Sequence, residues 1–300
     1  MPKFPPPKRL LVTGASGFLG WHICRQAPQE WEIFGLFFSH TFCLPGIKVI
    51  SADLRQYQDL KKLFQTIRPH AVIHAAAYSD PNFCQLHPEE TRVLNVETSL
   101  HLAALSADFS IPCLFTSSDL VFDGRHAPYS EEDFPNPINR YGEQKTLAEE
   151  KMRTIYPQTI ICRLPLMFGE DRPPARSFLQ PMLKAAKTGQ DLPLFIDEFR
   201  TPVSGKVAAL GLFLALRQAG GIFHLGGRER ISRYEFGLLL IESLGGSHAN
   251  LIPCLQKNLT MAAPRPADVS LNSEKAFSLG YAPPRLKEAL REIVCANPSL

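Results

Sequence analysis

The chain has 300 residues, 45% hydrophobic and 20% charged, with a formal net charge of +3. That length suits one large domain or two intimate ones, and that composition supports a sizeable core, which excludes a disordered chain. The near-balanced charge lacks the basic excess of a nucleic-acid binder, and no run reaches the roughly 18 apolar residues of a membrane span.

Arg9-Leu10-Leu11-Val12-Thr13 reads as a short buried strand. It runs into Gly14-Ala15-Ser16-Gly17-Phe18-Leu19-Gly20 and then an apolar-periodic helix through Trp21, Ile23 and Cys24. Strand, glycine-rich turn and helix in that order give a glycine motif its meaning. Gly14 and Gly17 let the backbone approach a pyrophosphate, Gly20 allows close helix–strand packing, and the helix N-terminus offers free N–H groups. The spacing here is GxxGxxG rather than GxGxxG.

A second strand, Glu32 to Phe38, ends at Ser39-His40. In an NAD-binding unit a carboxylate commonly meets the ribose hydroxyls at this point. Its replacement by Ser39 and His40 favours NADP(H) over NAD(H), because a carboxylate repels a 2′-phosphate. His40 also fits a merely solvated side chain. Lys48-Val49-Ile50-Ser51 is a third strand, followed by Ala52-Asp53-Leu54 and an amphipathic helix with Leu60, Leu63, Phe64 and Ile67.

Ala71-Val72-Ile73-His74 is a fourth strand. The small residues Ala75, Ala76 and Ala77 after it leave room for a ligand, or serve packing alone. A long helix follows from about Pro88 to Leu105, with Asn95 as a polar residue inside an apolar-periodic segment. A buried Asn there must satisfy several hydrogen-bonding groups.

The fifth strand, Ile111 to Thr116, ends in Ser117-Ser118-Asp119 and then Leu120-Val121-Phe122-Asp123-Gly124. After a Pro/Asn-rich loop, Tyr141-Gly142-Glu143-Gln144-Lys145 opens a helix, and Thr159 to Leu164 is a sixth strand. Positions i and i+4 share a helix face, so Tyr141 and Lys145 can serve one site. A cation beside a phenol lowers its pKa and makes it a usable acid or base. Taken alone, the pair also arises by chance. Strands alternating with helices imply a parallel sheet, and ligands of such sheets lie beyond the strand carboxyl ends. Gly14–Gly20, Asp53, Ala75–Ala77 and Ser118–Asp119 should therefore share one rim.

From Asp171-Arg172-Pro173-Pro174 onward, Pro-rich loops alternate with short elements: helices over 177–187 and 207–218, a strand at Ile222 to Leu225, and Ser232-Arg233-Tyr234-Glu235 as a capping box. Leu286 to Val294 is a last helix. The seven cysteines (Cys24, Cys43, Cys84, Cys113, Cys162, Cys254, Cys295) are odd in number and show no Cys-x-x-Cys spacing. They fit free thiols in a reducing cytoplasm better than disulfides or zinc. Met1 to Lys8 lacks the apolar stretch of a signal peptide. A cytoplasmic protein without nucleic-acid, membrane or metal partners is expected.

These motifs, in their order and spacing, resemble the extended short-chain dehydrogenase/reductase family along nearly the whole chain. Within it, Ser118-Asp119-Leu120-Val121-Phe122-Asp123-Gly124, Arg265-Pro266 and Leu279-Gly280-Tyr281 resemble the dTDP-4-dehydrorhamnose reductase branch. That branch also holds the regulatory β subunit of methionine adenosyltransferase. The resemblance implies an α/β fold: a doubly wound parallel sheet (Rossmann fold) over residues 1–168, with 200–225 returning to it, and a smaller mixed α/β substrate domain over 169–199 and 226–300.

It implies a catalytic set of Ser118, Tyr141 and Lys145. Ser118 would hydrogen-bond a substrate carbonyl, Tyr141 would transfer the proton, and Lys145 would hold the nicotinamide ribose and depress the Tyr141 pKa. Cofactor-binding positions would be Gly14, Ser16, Gly17, Phe18, Leu19, Gly20, Ser39, His40, Asp53, Leu54, Ala75, Ala76, Ala77, Asn95, Tyr141, Lys145 and Leu164. Substrate-binding positions would be Asp119, Leu120, Val121, Phe122, Arg200 and Arg265. The implied activity is NAD(P)H-dependent reduction of a keto group on a nucleotide-linked sugar, NADP(H) preferred. The alternatives are a cofactor-binding regulatory subunit and a sugar-nucleotide epimerase; a homodimer is admitted. Two departures fall on the substrate side. Leu120 stands where the rhamnose-pathway enzymes usually carry Tyr, and Asp197-Glu198-Phe199-Arg200-Thr201-Pro202 differs from their Asp-Gln loop. Arg200 suits either a ligand anion or a salt bridge.

Overall fold

The computed structural model describes residues 6–170, 177–246 and 250–296. Strands β1 (Lys8–Thr13), β2 (Trp31–Phe37), β3 (Ile47–Ser51), β4 (Ala71–His74), β5 (Cys113–Ser118) and β6 (Ile160–Leu164) come first. Then follow β7 (Met167–Phe168), β8 (Asp191–Phe195), β9 (Phe199–Arg200), β10 (Val203–Ser204), β11 (Gly221–His224), β12 (Ile231–Ser232) and β13 (Asn250–Cys254). Seven of them form one parallel sheet in the order β11-β6-β5-β4-β1-β2-β3. Strands β4 and β5 are buried throughout. Ala71 to Ile73 of β4 and Cys113 to Phe115 of β5 therefore read as continuous apolar runs instead of alternating ones.

Helices α1 (Phe18–Arg25), α2 (Tyr57–Ile67), α3 (Pro81–Leu86), α4 (Pro88–Arg92), α5 (Thr98–Asp108) and α6 (Arg140–Ile155) lie in the first part of the chain. The rest holds α7 (Leu179–Thr188), α8 (Gly205–Ala215), α9 (Arg233–Ser243), α10 (Glu274–Ser278) and α11 (Leu286–Ala296). One face of the sheet is covered by α1 and α8, whose Ile23, Leu212 and Phe213 pack on Leu10, Val12 and Leu114. The other is covered by α2 and α5 through Leu60, Phe64, Leu102 and Leu105, and by α6 through Ala148 and Met152 on Phe115. A doubly wound sheet results.

Strand order reverses between β1 and β4, the switch point at which such sheets bind ligands. The remaining small sheets pair β10 with β7, β12 with β9 and β13 with β8. A separate core of Phe168, Met182, Phe236, Leu240, Leu286 and Leu290 sits among them.

Several elements differ from the sequence reading, which has no counterpart of β7, β8, β9, β10, β12 and β13. The long helix from Pro88 is α4, then a π-helical turn (Val93–Glu97), then α5. In addition, Asp80 caps a short helix, α3, by accepting from the Asn82 and Phe83 N–H groups. The capping box is present, with Ser232 and Glu235 bonded reciprocally. The break at Asp171-Arg172-Pro173-Pro174 lies outside the described residues.

Candidate active site

Two clefts open at the carboxyl ends of the strands. The first, of about 410 Å³, is lined by Gly14, Ser16, Gly17, Ser39, His40, Asp53, Leu54, Ala75, Ala76 and Ala77, with Phe38, Arg55 and Tyr78. The second, of about 600 Å³, is lined by Phe18, Ser118, Asp119, Leu120, Tyr141, Leu164, Arg200 and Arg265, with Phe178, Phe195, Glu198 and Arg233. Chain neighbours divide between them (Gly17 and Phe18, Tyr78 and Ser79), so the clefts adjoin.

The first cleft is shaped by backbone. Gly14 has φ +65, and a Cβ there would lie 2.7 Å from the Ala76 backbone, so β1 and β4 meet this closely only through glycine. Helix α1 starts at Gly17 with no side-chain cap, which leaves its first N–H groups and its positive end for an anion. Gly20 and Leu19 are buried behind this turn. A Cβ on Gly20 would lie 2.0 Å from the Gly14 carbonyl oxygen. Both positions shape the cleft without lining it.

Arg55 was not foreseen. Its Nε and Nη2 donate to the two Asp53 carboxylate oxygens, each at 2.8 Å. That double bond holds the Asp53 carboxyl below its ordinary range. The guanidinium carbon lies 5.0 Å from the Phe38 ring centroid. Its only signal in the sequence is position, two residues past Asp53 in a rim loop.

In the second cleft, β5 delivers Ser118 and α6 delivers Tyr141. Asn139 caps α6 by accepting from the Gly142 N–H at 2.9 Å. A Cβ on Gly142 would lie 2.1 Å from the Leu120 carbonyl oxygen, so the helix start is pressed against the loop after Ser118. Ser118 donates to Asp119 Oδ1 at 3.0 Å and accepts from the Leu120 N–H at 3.1 Å. Burial pushes the Tyr141 hydroxyl above the ordinary tyrosine range; Cys84 and Asp119 add to this, and the Ser118 hydroxyl opposes it.

Lys145 does not touch the phenol. Its Nζ donates to the Thr116 carbonyl at 2.9 Å and lies 5.8 Å from the Tyr141 ring centroid. The expected depression of the Tyr141 pKa is thus absent from this arrangement. Lys145 itself is lowered by burial to about 8, with Glu149 acting against the burial. It is therefore still mostly charged at neutral pH.

Three further expectations move. Asn95 lines neither cleft. It is buried in the π-helical turn, accepts from the Tyr78 N–H at 2.9 Å, and donates to the Gln144 side chain at 2.8 Å. It acts behind the site, fixing the Tyr78 segment against α6. Val121 and Phe122, expected beside a substrate, are fully buried with Tyr129, Val269 and Leu271, and Phe122 stacks on Tyr129 at 4.1 Å. The 3-10 turn Asp119–Val121 rotates them into the core and leaves only Asp119 and Leu120 facing the cleft.

Asp119 is buried, and burial raises its carboxyl to about 6 against the pull of Arg200 and the Ser118 hydroxyl. Its Oδ2 lies 3.3 Å from Arg200 Nε, an ion contact without hydrogen-bond alignment. Arg200 Nη2 and Arg233 Nε each lie 3.2 Å from Glu198 Oε1. Burial pushes the Glu198 carboxyl up, but Arg200 and Arg233 outweigh it and hold it below its ordinary value.

A doubly wound sheet, a phosphate-ready turn at its switch point, and Ser118 and Tyr141 on the same rim with Lys145 buried behind them define a protein of the short-chain dehydrogenase/reductase type. The RmlD substrate binding domain family matches residues 8–297, and the chain belongs to that family. A probable low-salt glycan biosynthesis reductase, Agl14, of Haloferax volcanii is 30% identical over 95% of this chain and 97% of its own. The methionine adenosyltransferase 2 subunit beta of Danio rerio is 27% identical over 93% of this chain and 87% of its own. The crystal structure of a dTDP-4-dehydrorhamnose reductase from Bacillus anthracis in complex with NADP has a TM-score of 0.85, covering 97% of this chain and 99% of that one at 20% identity.

Proposed function

We propose that the chain is an NAD(P)H-dependent reductase of a keto group on a nucleotide-linked sugar, with NADP(H) preferred. The observation that carries this reading is the meeting of Ser118 and Tyr141 in one cleft, backed by Lys145, beside a second cleft with an uncapped helix N-terminus. The first cleft suits a dinucleotide: the Gly14 backbone and the start of α1 would take the pyrophosphate, and Asp53 and Leu54 the adenine end. Ser39 and His40, where a carboxylate would stand, with Arg55 nearby, would accept a 2′-phosphate.

A bound nicotinamide would supply a hydride to the substrate's carbonyl carbon. The C=O electron pair then settles on oxygen, and that oxygen takes the Tyr141 proton, leaving an alcohol and a phenolate. Lys145 carries charge at neutral pH, and it would stabilise that phenolate on leaving the Thr116 carbonyl and closing the 5.8 Å between its Nζ and the Tyr141 ring centroid. Half-buried Arg265 and Arg233 on the cleft wall suit the phosphates of the sugar nucleotide.

The test is cofactor oxidation, followed by absorbance, with NADPH and dTDP-4-dehydrorhamnose. Turnover is expected. Intact NADPH binding without turnover rejects this substrate. A second reading rests on Leu120 and on the likeness to methionine adenosyltransferase 2 subunit beta: a cofactor-binding regulatory subunit. Co-purification with a synthetase, indifferent to Tyr141→Phe, would favour it.

A further inference from the structure

Of the arginines lining the second cleft, Arg200 is the one in contact with Asp119. Its Nε contacts Asp119 and its Nη2 contacts Glu198. Its Nη1 donates to the Phe199 carbonyl at 2.8 Å and to the Pro266 carbonyl at 3.4 Å. The side chain is 5% exposed. An arginine whose three nitrogens all face protein acceptors, two of them carboxylates, is held by the protein first. What it does hold is Asp119, and Asp119 holds the Ser118 proton.

We propose that Arg200 is a positioning residue: clamped by Glu198 in the C-terminal half, it fixes the charge of Asp119 and through it the direction in which Ser118 presents its hydroxyl to the substrate carbonyl. The proposal rests on the reductase reading and names what sets Ser118 within it. The Ser118 hydroxyl donates to Asp119, and its oxygen accepts from the Leu120 N–H. To donate to a carbonyl, Ser118 must give up the Asp119 contact. A carboxylate that shares its charge with a guanidinium is a weaker acceptor than a bare one, so Arg200 eases that exchange. Glu198, itself shared with Arg233, keeps Arg200 in place. Because β9 carries Arg200 and α9 carries Arg233, the chain of charges joins the C-terminal half to the end of β5.

The charged and titratable groups acting on Asp119 are Arg200, Glu198 and Arg233, with Ser118 bonded to it; the Tyr141 phenol feels Asp119 in turn. Arg200 is the largest influence opposing burial. Without it, a carboxyl already raised to about 6 moves further up: above that pKa a bare carboxylate holds the Ser118 hydroxyl more tightly, and below it a protonated Asp119 no longer orients that hydroxyl.

The experiment uses the full chain with Arg200→Met and Arg200→Lys. It combines steady-state kinetics across pH with carbon-13 NMR of labelled aspartate, the Asp119 signal being identified through Asp119→Asn. For Arg200→Met, kcat should fall about tenfold or more with KM within about twofold. The acid limb of the pH profile and the Asp119 titration should both move to higher pH, NADPH affinity should stay the same, and Arg200→Lys should recover part of the loss. A raised KM with intact kcat would make Arg200 a substrate ligand, and an unmoved Asp119 titration would remove the relay; either overturns the proposal. If the parent chain binds NADPH without turning over dTDP-4-dehydrorhamnose, that substrate is rejected, and the Asp119 titration still decides the relay.

Discussion

At the scale of single residues, the site rests on a few contacts whose loss has distinct signatures. Tyr141 lines the second cleft together with Ser118. Tyr141→Phe removes the phenol proton while leaving the apolar ring in its buried place. Turnover should fall about a hundredfold or more, the usual worth of a positioned acid, with cofactor affinity unchanged in a fluorescence titration; persistence of turnover would acquit Tyr141. Arg55 argues for a different readout. Asp53 occupies its Nε and Nη2, which orients the guanidinium and leaves Nη1 for a phosphate. Arg55→Ala should weaken NADPH binding about tenfold and NADH binding far less, the difference being one charge-assisted contact. Equal weakening of both would mean that Arg55 serves the adenine, through Asp53, and not the phosphate.

At the scale of elements, most of the sheet could be read directly from the chain. Strands such as Ala71-Val72-Ile73-His74, buried on both faces, stand out as apolar runs between amphipathic helices, and the glycines at Gly14 and Gly17 announce the turn. Other features left no comparable trace. A π-helical turn at Val93–Glu97 keeps the apolar periodicity of its neighbours. The rotation of Val121 and Phe122 into the core depends on one 3-10 turn, because apolar residues just past a strand end fit a rim and a core equally. The Arg233–Glu198–Arg200–Asp119 pairing joins residues far apart in sequence, and Arg55 reads as any solvated cation.

The start of α6 allows a test of how tightly these elements fit. Alanine normally gains about 1 kcal/mol over glycine in a helix. At Gly142 it would meet the Leu120 carbonyl at 2.1 Å and Pro137 Cβ at 2.8 Å, and such overpacking costs about 1–3 kcal/mol. The clash should win. Gly142→Ala should lower the melting temperature and reduce kcat by shifting Tyr141 off Ser118. A raised melting temperature would mean that the loop yields freely.

At the scale of the whole molecule, acid should unfold the protein early. His22, His74 and His224 are buried, and burial lowers their pKa values from 6.5 to about 4, about 3 and about 3. An unfolded chain protonates them below 6.5 while the folded one does not, so their stability is fully present above 6.5 and drains as pH falls toward 4. Each contributes a loss of up to about 1.4 kcal/mol per pH unit in that window. Asp119 works the other way, since a raised carboxyl favours the folded state as pH falls from about 6 toward 3.8. It is one group against three. Thermal unfolding should show a clear drop in melting temperature between pH 7 and pH 5; a flat profile would contradict this account.

Strand β11 has a consequence for how such a chain can be recombined. The chain passes from the sheet through β7, α7, β8 and β9, returns through α8 to lay β11 beside β6, and leaves again for α9. No single cut separates the two halves. A hybrid made by splicing a relative's C-terminal half after Phe168 would import a foreign edge strand and a foreign α8 against α1. Exchanging this part of the fold for a relative's therefore takes two separate segments, before α8 and after β11, and not one exchange of the tail.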